Sequence, residues 1–492
     1  MLPEFRTLRA MSLAVVTAMV AACAVGPDYV RPEVPVPGRF ARDAAVTDGD
    51  VATAEVLATP DPDAEFWAGF DDPVLTRLVD AALLANHDLR AALASYDAAN
   101  AFAREAGFDH FPTVTASATA SDSRVSADQL SGAAREGRDS DSYSGSILAA
   151  WELDLFGRVR RNVEANRADT RASASDLAAL QVIIAGEVAR SYLELRGLQE
   201  RLRVARENAD NQRETLRLVD VRMSAGRGTE FDTSRARAQL ESTLARVPAL
   251  EAAVAVTQHR LAVLTGNAPG ALISELDVPA PLPTLPDRLD PGTPGELLRR
   301  RPDVIAAEQR LHAATARIGV ATADLFPRFT LAGLVGTQAF DSSALFERDS
   351  ETRLVALGVD WSFLDVGRVR ARMAATDANA SGALAGYEQA VLRALEDTEN
   401  ALVVFAHARI EDQHLERAAT DSARAAQLAR VRFDAGATDL LDVLDAERTQ
   451  LSSQDAFADA RTRTATALVG LYRALAGGWP TRIPERVQVS AR

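Results

Sequence analysis

The sequence predicts a mostly α-helical, internally duplicated fold that carries a membrane β-barrel segment, and three observations lead there. First, the chain is written twice. Phe111-Pro112 recurs as Phe326-Pro327, Trp151 as Trp361, Gly157-Arg158-Val159-Arg160 as Gly367-Arg368-Val369-Arg370, and Val221-Arg222 with Ala225-Gly226 as Val431-Arg432 with Ala435-Gly436, in the same order in both halves. Second, no proline falls between Arg158 and Ala225 or between Arg368 and Ala435, so each run can be one helix roughly 100 Å long at about 1.5 Å per residue. Third, a pair of alternating apolar and polar stretches precedes each of these runs. At 492 residues the length alone would favour several domains, whereas the repeat argues for one elongated body with every element doubled.

The elements follow in order. Arg6 and Arg9 precede an apolar stretch, Met11 to Ala22, that is too short to span a bilayer, as in a secretory signal over residues 1–22. It ends in Val20-Ala21-Ala22-Cys23, a lipobox: small residues admit the peptidase, and Cys23 becomes a lipid anchor. Cys23 is the only cysteine, so no disulfide can form within one chain. Residues 23–66, with Gly26-Pro27-Asp28-Tyr29-Val30-Arg31-Pro32, lack apolar periodicity and read as an extended strap.

The first repeat is expected over 67–266. A helix from Pro73 to Ala106 has Pro73 at its first position behind Asp71 or Asp72, with Leu75, Leu78, Val79, Ala82 and Leu83 on one face; its counterpart runs from Pro302 to Ala323. Strands follow at about 111–123 and 142–155, where Val114, Ala116, Ala118 and Ala120 alternate with Thr and Ser, and Tyr143, Gly145, Ile147, Ala149, Trp151 and Leu153 form the partner's apolar side. The second repeat, 301–477, places strands at 327–340 and 352–365, with Phe329, Leu331, Gly333 and Val335 facing Val355, Leu357, Val359, Trp361 and Phe363. Such strands, rising about 3.3 Å per residue and tilted by about 45°, cover roughly a hydrocarbon layer. Two hairpins of a water-soluble sheet fit the same alternation. In lipid, however, four strands cannot close a barrel, which needs about eight, and oligomerisation must supply the rest.

The long runs open helical hairpins over 158–265 and 367–476. Leu177, Leu180, Ile184, Val188, Tyr192 and Leu195 recur at three and four, as in coiled-coil packing. Gly226 and Gly436 mark the hairpin tips, and Pro248 should kink the first return helix. Between the repeats, 267–300 reads as a Pro/Gly-rich linker, and Asp303 in Leu297-Leu298-Arg299-Arg300-Arg301-Pro302-Asp303-Val304 merely suits a helix start. Residues 478–492 are a C-terminal tail.

The net charge is −15, and all 54 basic residues are Arg. Acid and base are interspersed without a basic patch, which argues against nucleic acid as a partner. His87, His110, His259, His312, His407 and His414 show no metal-ligand spacing, and no phosphate loop or nucleophile elbow appears. No enzyme, catalytic residue, metal or cofactor is expected.

The chain resembles the TolC-like outer-membrane efflux lipoproteins over nearly its whole mature length. The resemblance is carried by Leu297 to Val304, by Trp151-Glu152-Leu153-Asp154-Leu155-Phe156-Gly157-Arg158, by Leu325-Phe326-Pro327, by Asp442-Val443-Leu444-Asp445-Ala446, and by the lipobox followed by Gly26-Pro27-Asp28-Tyr29. It implies a homotrimer in which each protomer gives four strands to one 12-stranded barrel and its long hairpins to a periplasmic α-barrel. The implied role is exit duct of a tripartite pump, fed by an inner-membrane transporter and a periplasmic adaptor, or membrane fusion protein. Ala24, where Asp would mark inner-membrane retention, favours the outer membrane. The rival is a lipidated periplasmic adaptor, which would lack paired membrane-length strands and this duplication.

Asp439, Asp442 and Asp445, spaced i, i+3, i+6, share one stripe of the helix after Gly436. Either Thr438 or Asp439 caps that helix and Asp442 suits its positive end, or the stripe is a pore element. The resemblance places Asp442 and Asp445 at the constricted periplasmic entrance, where a ring of carboxylates would select cations. Some family members latch this entrance with a Tyr and an Arg. Phe433 and Thr438 stand in those places here, so closure is expected to rest on packing of Phe433, Leu440 and Leu441.

Overall fold

The computed structural model describes residues 24–41, 66–132, 134–285, 292–476, 484 and 486. Cys23, the leader before it and nearly all of the C-terminal tail lie outside the described residues. The helices are α1 (Pro73–Ala85), α2 (His87–Phe108), α3 (Arg158–Ser224), α4 (Glu230–Leu244), α5 (Arg246–Leu264), α6 (Ile273–Leu276), α7 (Pro294–Arg300), α8 (Pro302–Ala323), α9 (Val366–Asp434) and α10 (Leu440–Leu475). The strands are β1 (Thr113–Arg124), β2 (Asp139–Leu153), β3 (Arg328–Ala339) and β4 (Glu351–Asp360). The chain divides into two compact units.

The first unit comprises Met1–Glu33, Tyr96–Ser173 and Ala306–Glu388, and is built on one antiparallel sheet in the order β1-β2-β3-β4. Its register keeps all four alternations in phase. Ala116 faces Ile147, which faces Val335; Trp151 faces Leu331, which faces Leu357; Leu153 faces Phe329, which faces Val359. One side of the sheet is therefore mainly apolar, broken in β4 where Arg353 stands opposite Val335, and it is bare: Val114, Val335, Val355 and Leu357 are all more than 60% exposed. On the other side Ser117 and Ser146 hydrogen-bond across the strands at 2.9 Å.

Each repeat ties its strand to the segment before the sheet in the same way. The indole Nε1 of Trp151 donates to His110 O, and that of Trp361 to Leu325 O, both at 3.0 Å. In the second repeat this bond lies past the strand. β4 ends at Asp360, so Trp361 and Phe363, read from sequence as strand, lie beyond it: Trp361 in the connection and Phe363 in a turn closed by Asp365 N–H and Ser362 O at 3.0 Å.

The strap is docked on this unit. Val25 N–H donates to Phe156 O at 3.1 Å, Arg161 donates to Asp28 at 2.6 Å and Glu164 at 2.8 Å, and the Tyr29 ring stacks on His312 with centroids 4.4 Å apart. The phenol of Tyr29 donates to Glu308 at 3.3 Å; burial, with the Glu308 charge beside it, pushes its pKa well up. Residues without periodicity thus gain order from contacts made by α3 and α8.

The second unit comprises Val34–Ser95, Ala174–Ile305 and Gln389–Arg492. Asp72 caps α1 by accepting from Val74 N–H at 2.8 Å and Leu75 N–H at 3.0 Å, behind Pro73 at the first helical position. Leu75, Leu78, Val79, Ala82 and Leu83 are buried, each contributing about 1.5–3 kcal/mol if larger than alanine. Asp72 also accepts from the Tyr192 phenol at 2.6 Å, whose pKa burial pushes up to about 12.

One expectation is corrected here, and the interruption expected from Pro248 is located. The single helix read from Pro73 to Ala106 is broken at Asn86, whose N–H closes α1 on Ala82 O while its side chain accepts from Asp88 and Leu89 N–H to open α2; its amide also donates to Leu264 O at 2.9 Å. An asparagine that satisfies both helix ends outweighs a continuous apolar pattern. The kink assigned to Pro248 falls at Ala245, between α4 and α5, because the missing proline N–H removes a bond one turn toward the N-terminus.

The described residues between the repeats are packed. Leu276 and Leu297 are fully buried, Gln199 and Arg196 donate to Leu276 O and Val278 O at 2.7 and 2.8 Å, and Arg300 donates to Leu475 O at 2.9 Å. Arg301, 8% exposed, donates to Asp303 at 2.7 Å, to Asp397 at 3.1 Å and to Ala474 O at 3.1 Å. Burial works against its charge, but Asp303 and Asp397 outweigh it and raise its pKa. Asp303 is therefore more than a helix-start residue: it neutralises a buried guanidinium.

α3 and α10 meet at Gly197. A Cβ there would stand 2.0 Å from Thr462 Oγ1 and 2.8 Å from Thr462 Cβ, and Thr462 is held by its hydroxyl bond to Ala458 O at 2.7 Å. Gly197→Ala is expected to destabilise the protein by about 1–3 kcal/mol through overpacking, despite the better helix propensity of alanine. Thermal unfolding followed by far-UV circular dichroism checks this, and equal or higher stability would show that the two helices have slack.

Candidate functional site

Both long helices end in the same turn. Gly226 and Gly436 adopt φ of 70° and 72°, the left-handed region that glycine enters without a Cβ penalty. Around them, Gly226 N–H donates to Met223 O at 2.9 Å and Arg227 N–H to Arg222 O at 2.8 Å; Gly436 N–H donates to Phe433 O at 3.0 Å and Ala437 N–H to Arg432 O at 2.8 Å. These paired bonds are Schellman endings. The returning helices then open on side-chain caps. Thr229 and Asp232 form a capping box ahead of α4, and Asp439 accepts from Asp442 N–H at 3.2 Å ahead of α10.

The tips of the two hairpins share an apolar cluster of Val219 from α3, Ala236 from α4, Phe433 from α9, and Leu440, Val443 and Leu444 from α10, with Leu216 and Ala429 packed against it. Phe433 and Leu440 are buried in this cluster. Leu441 is 49% exposed, because 440, 443, 444 and 447 form the inward stripe of α10 and 441 points away. Val443 and Leu444 were missed, although their spacing from Leu440 signals the stripe. Arg222 was noticed only as part of the repeat. Its Nη2 donates to Phe433 O at 2.9 Å, and its guanidinium carbon lies 3.7 Å from the centre of the Phe433 ring.

One turn farther along, the inward stripe carries a carboxylate. Glu447, 1% exposed, accepts from Thr215 Oγ1 at 2.7 Å and Arg430 Nε at 2.9 Å on the same oxygen, and its second oxygen has no partner among the described residues. Arg430 also donates to Asn211 at 3.4 Å. A polar layer thus sits directly on the apolar one.

The three aspartates divide. Asp439 is the N-cap, which settles the local choice between it and Thr438. Asp442 accepts from the Thr438 hydroxyl, and its carboxylate lies at the positive end of α10. Asp445 pairs with Arg448 at 2.5 Å in an exposed contact worth little in water. All three are exposed on the outer side of α10.

Comparison with known proteins agrees with this architecture. The outer membrane efflux protein family model matches residues 78–267 and again 293–477, one match per repeat. The chain is 34% identical to outer membrane protein OprJ of Pseudomonas aeruginosa over 478 residues, covering 95% of this chain and 96% of that protein. It is 30% identical to nodulation protein T of Rhizobium leguminosarum bv. trifolii over 469 residues, covering 94% and 96%. Among solved structures, the outer-membrane channel OprN superposes with a TM-score of 0.85 at 40% identity, covering 93% of this chain and all of that one. A duplicated chain with four in-phase strands, two long helical hairpins and two family matches belongs to the outer membrane efflux protein family.

Proposed function

We propose that this chain is the exit duct of a tripartite efflux system, a homotrimer that passively conducts substrates from an inner-membrane transporter and its periplasmic adaptor to the outside. The observation that carries this reading is the sheet. Its apolar side spans all four strands from the level of Leu153 to that of Gly333 and is bare, and its edge strands β1 and β4 have partners on one side only, an arrangement suited to lipid once further copies complete a barrel. Three copies would give the 12 strands that the family resemblance implies. The long hairpins of α3 to α5 and of α9 and α10 would line a periplasmic tunnel, with Gly226 and Gly436 at its entrance. Nothing in this role requires an enzyme's active site.

Protein extracted in mild detergent is expected to sediment as a trimer and to conduct ions in planar bilayers. A compact folded monomer without conductance would rule the duct out in favour of a periplasmic tether. At the entrance, Asp442 and Asp445 are proposed to set ion selectivity, while Phe433 and Leu440 hold each protomer's tip and Leu441 packs against the next copy. The double variant Asp442→Ala, Asp445→Ala should lose cation preference and block by multivalent cations, and Phe433→Ala should gain open conductance. Asp439 should behave differently. Asp439→Ala is expected to cost about 1 kcal/mol of stability by removing the cap and to leave selectivity unchanged; a selectivity loss equal to that of the double variant would return Asp439 to the pore.

Cys23 is proposed as the site of acylation. Cys23→Ser should abolish labelling by a fatty-acid probe, and label retained on that variant would refute the lipobox.

A further inference from the structure

The duplicated tips are not joined symmetrically. Arg222 and Arg432 occupy the same place in the two repeats, and so do Met223 and Phe433. Arg222 crosses from the first hairpin to the second, with its hydrogen bond to Phe433 O at 2.9 Å and its guanidinium over the Phe433 ring at 3.7 Å. The reciprocal contact is not made. Met223 is 43% exposed and its sulfur accepts from Thr233 at 3.1 Å within its own hairpin. The side chain of Arg432 is exposed and has no hydrogen bond or ion pair among the described residues.

The one contact that is made is chemically apt. Phe433 O is among the last carbonyls of α9, where the helix carries partial negative charge; it takes Gly436 N–H at 3.0 Å, and its second lone pair is left for Arg222. A planar guanidinium can donate to that carbonyl and lie over the ring of the same residue; an ammonium cannot hold both geometries. With Val219, Leu440, Val443 and Leu444 in the same cluster, Phe433 is held by apolar contacts and by a cation.

We propose that Arg222 is a positioning residue for the entrance: it latches the second hairpin tip to the first by clamping Phe433, and so sets how often the entrance opens. This rests on the reading of the tips as the entrance, and the test separates the two. Planar-bilayer recordings compare the trimeric protein with Arg222→Met, Arg222→Lys, Phe433→Ala and the double variant Arg222→Met, Phe433→Ala, each first shown by sedimentation to be a trimer and by far-UV circular dichroism to be folded at the recording temperature. If Arg222→Met reduces the trimer, Arg222→Lys, which keeps the charge, carries the comparison. Arg222→Met should open about tenfold more often than the parent, Arg222→Lys should lie between them, and adding Arg222→Met to Phe433→Ala should add less than it adds to the parent, since the ring contact is then already lost and only the hydrogen bond to the carbonyl of residue 433 remains to be broken. Parent-like gating in Arg222→Met and Arg222→Lys while Phe433→Ala opens the channel overturns the latch and leaves the entrance reading standing. Strictly additive effects also overturn it, because Arg222 would then act through something other than Phe433. Unchanged gating in all variants overturns both.

Discussion

A sheet with two open edges cannot rest in hydrocarbon, and that constraint governs this molecule. β2 and β3 have neighbours on both sides, but β1 and β4 each present a row of amides and carbonyls with no strand beside it. In water those groups would be solvated; in lipid each would cost several kcal/mol. The apolar side of the same sheet makes the opposite demand, since bare Val355 and Leu357 favour lipid over water. Only closure with strands from further copies meets both. The quaternary state is in this sense written into the secondary structure, because four strands in register are too few and the chain contributes no fifth among its described residues.

Duplication lays down the frame and local substitutions break its symmetry. At the junction of β2 with α3, Asp154 accepts from Val159 and Arg160 N–H at 3.0 Å and so caps the long helix, while Glu152 takes both Nε and Nη2 of Arg158 at 2.8 and 2.6 Å. In the second repeat the same places hold Leu364 and Ser362, which can do neither. Arg368 pairs with Asp365 instead, in a contact open to solvent. Two helices of almost equal length, 67 and 69 residues, therefore begin with different support, and they end with different ties as well, since only Arg222 finds an aromatic ring across the tips.

Much of this was legible in the sequence because it is periodic. The strands declare themselves through Val114-Ala116-Ala118-Ala120 and its partners, the rods through a long absence of proline, and the tips through Gly226 and Gly436, where backbone geometry favours glycine. What stayed hidden depends on contacts between distant residues. Asn86 looks like an ordinary helix residue until Leu264 O is placed beside it. Arg301 looks like one of three adjacent arginines until Asp397 and the end of α10 close around it. The strap looks like unstructured polar chain until His312 and Arg161 meet Tyr29 and Asp28. Leu441 lies off the inward stripe for a simpler reason: adjacent leucines on a helix cannot both face the same core, and that stripe is fixed by Val443 and Leu444.

The tip itself separates two physical tasks. An apolar cluster such as Phe433 with Leu440 and Val443 supplies adhesion but discriminates poorly between neighbouring registers, since greasy side chains repack at modest cost. The polar layer one turn away discriminates sharply. Burying Glu447 is unfavourable by several kcal/mol unless its partners are in place, and Thr215 and Arg430 reach the same carboxylate oxygen only when α3, α9 and α10 are in this register. Sliding any of the three by one turn, about 5.4 Å, would strand the charge. On this account the Glu447 layer fixes the register of the helices, while the weaker contacts beyond it, including the Arg222 clamp on Phe433, remain free to part without loss of the fold. A duct whose entrance must open needs that division, because adhesion and register held by the same residues would be lost together.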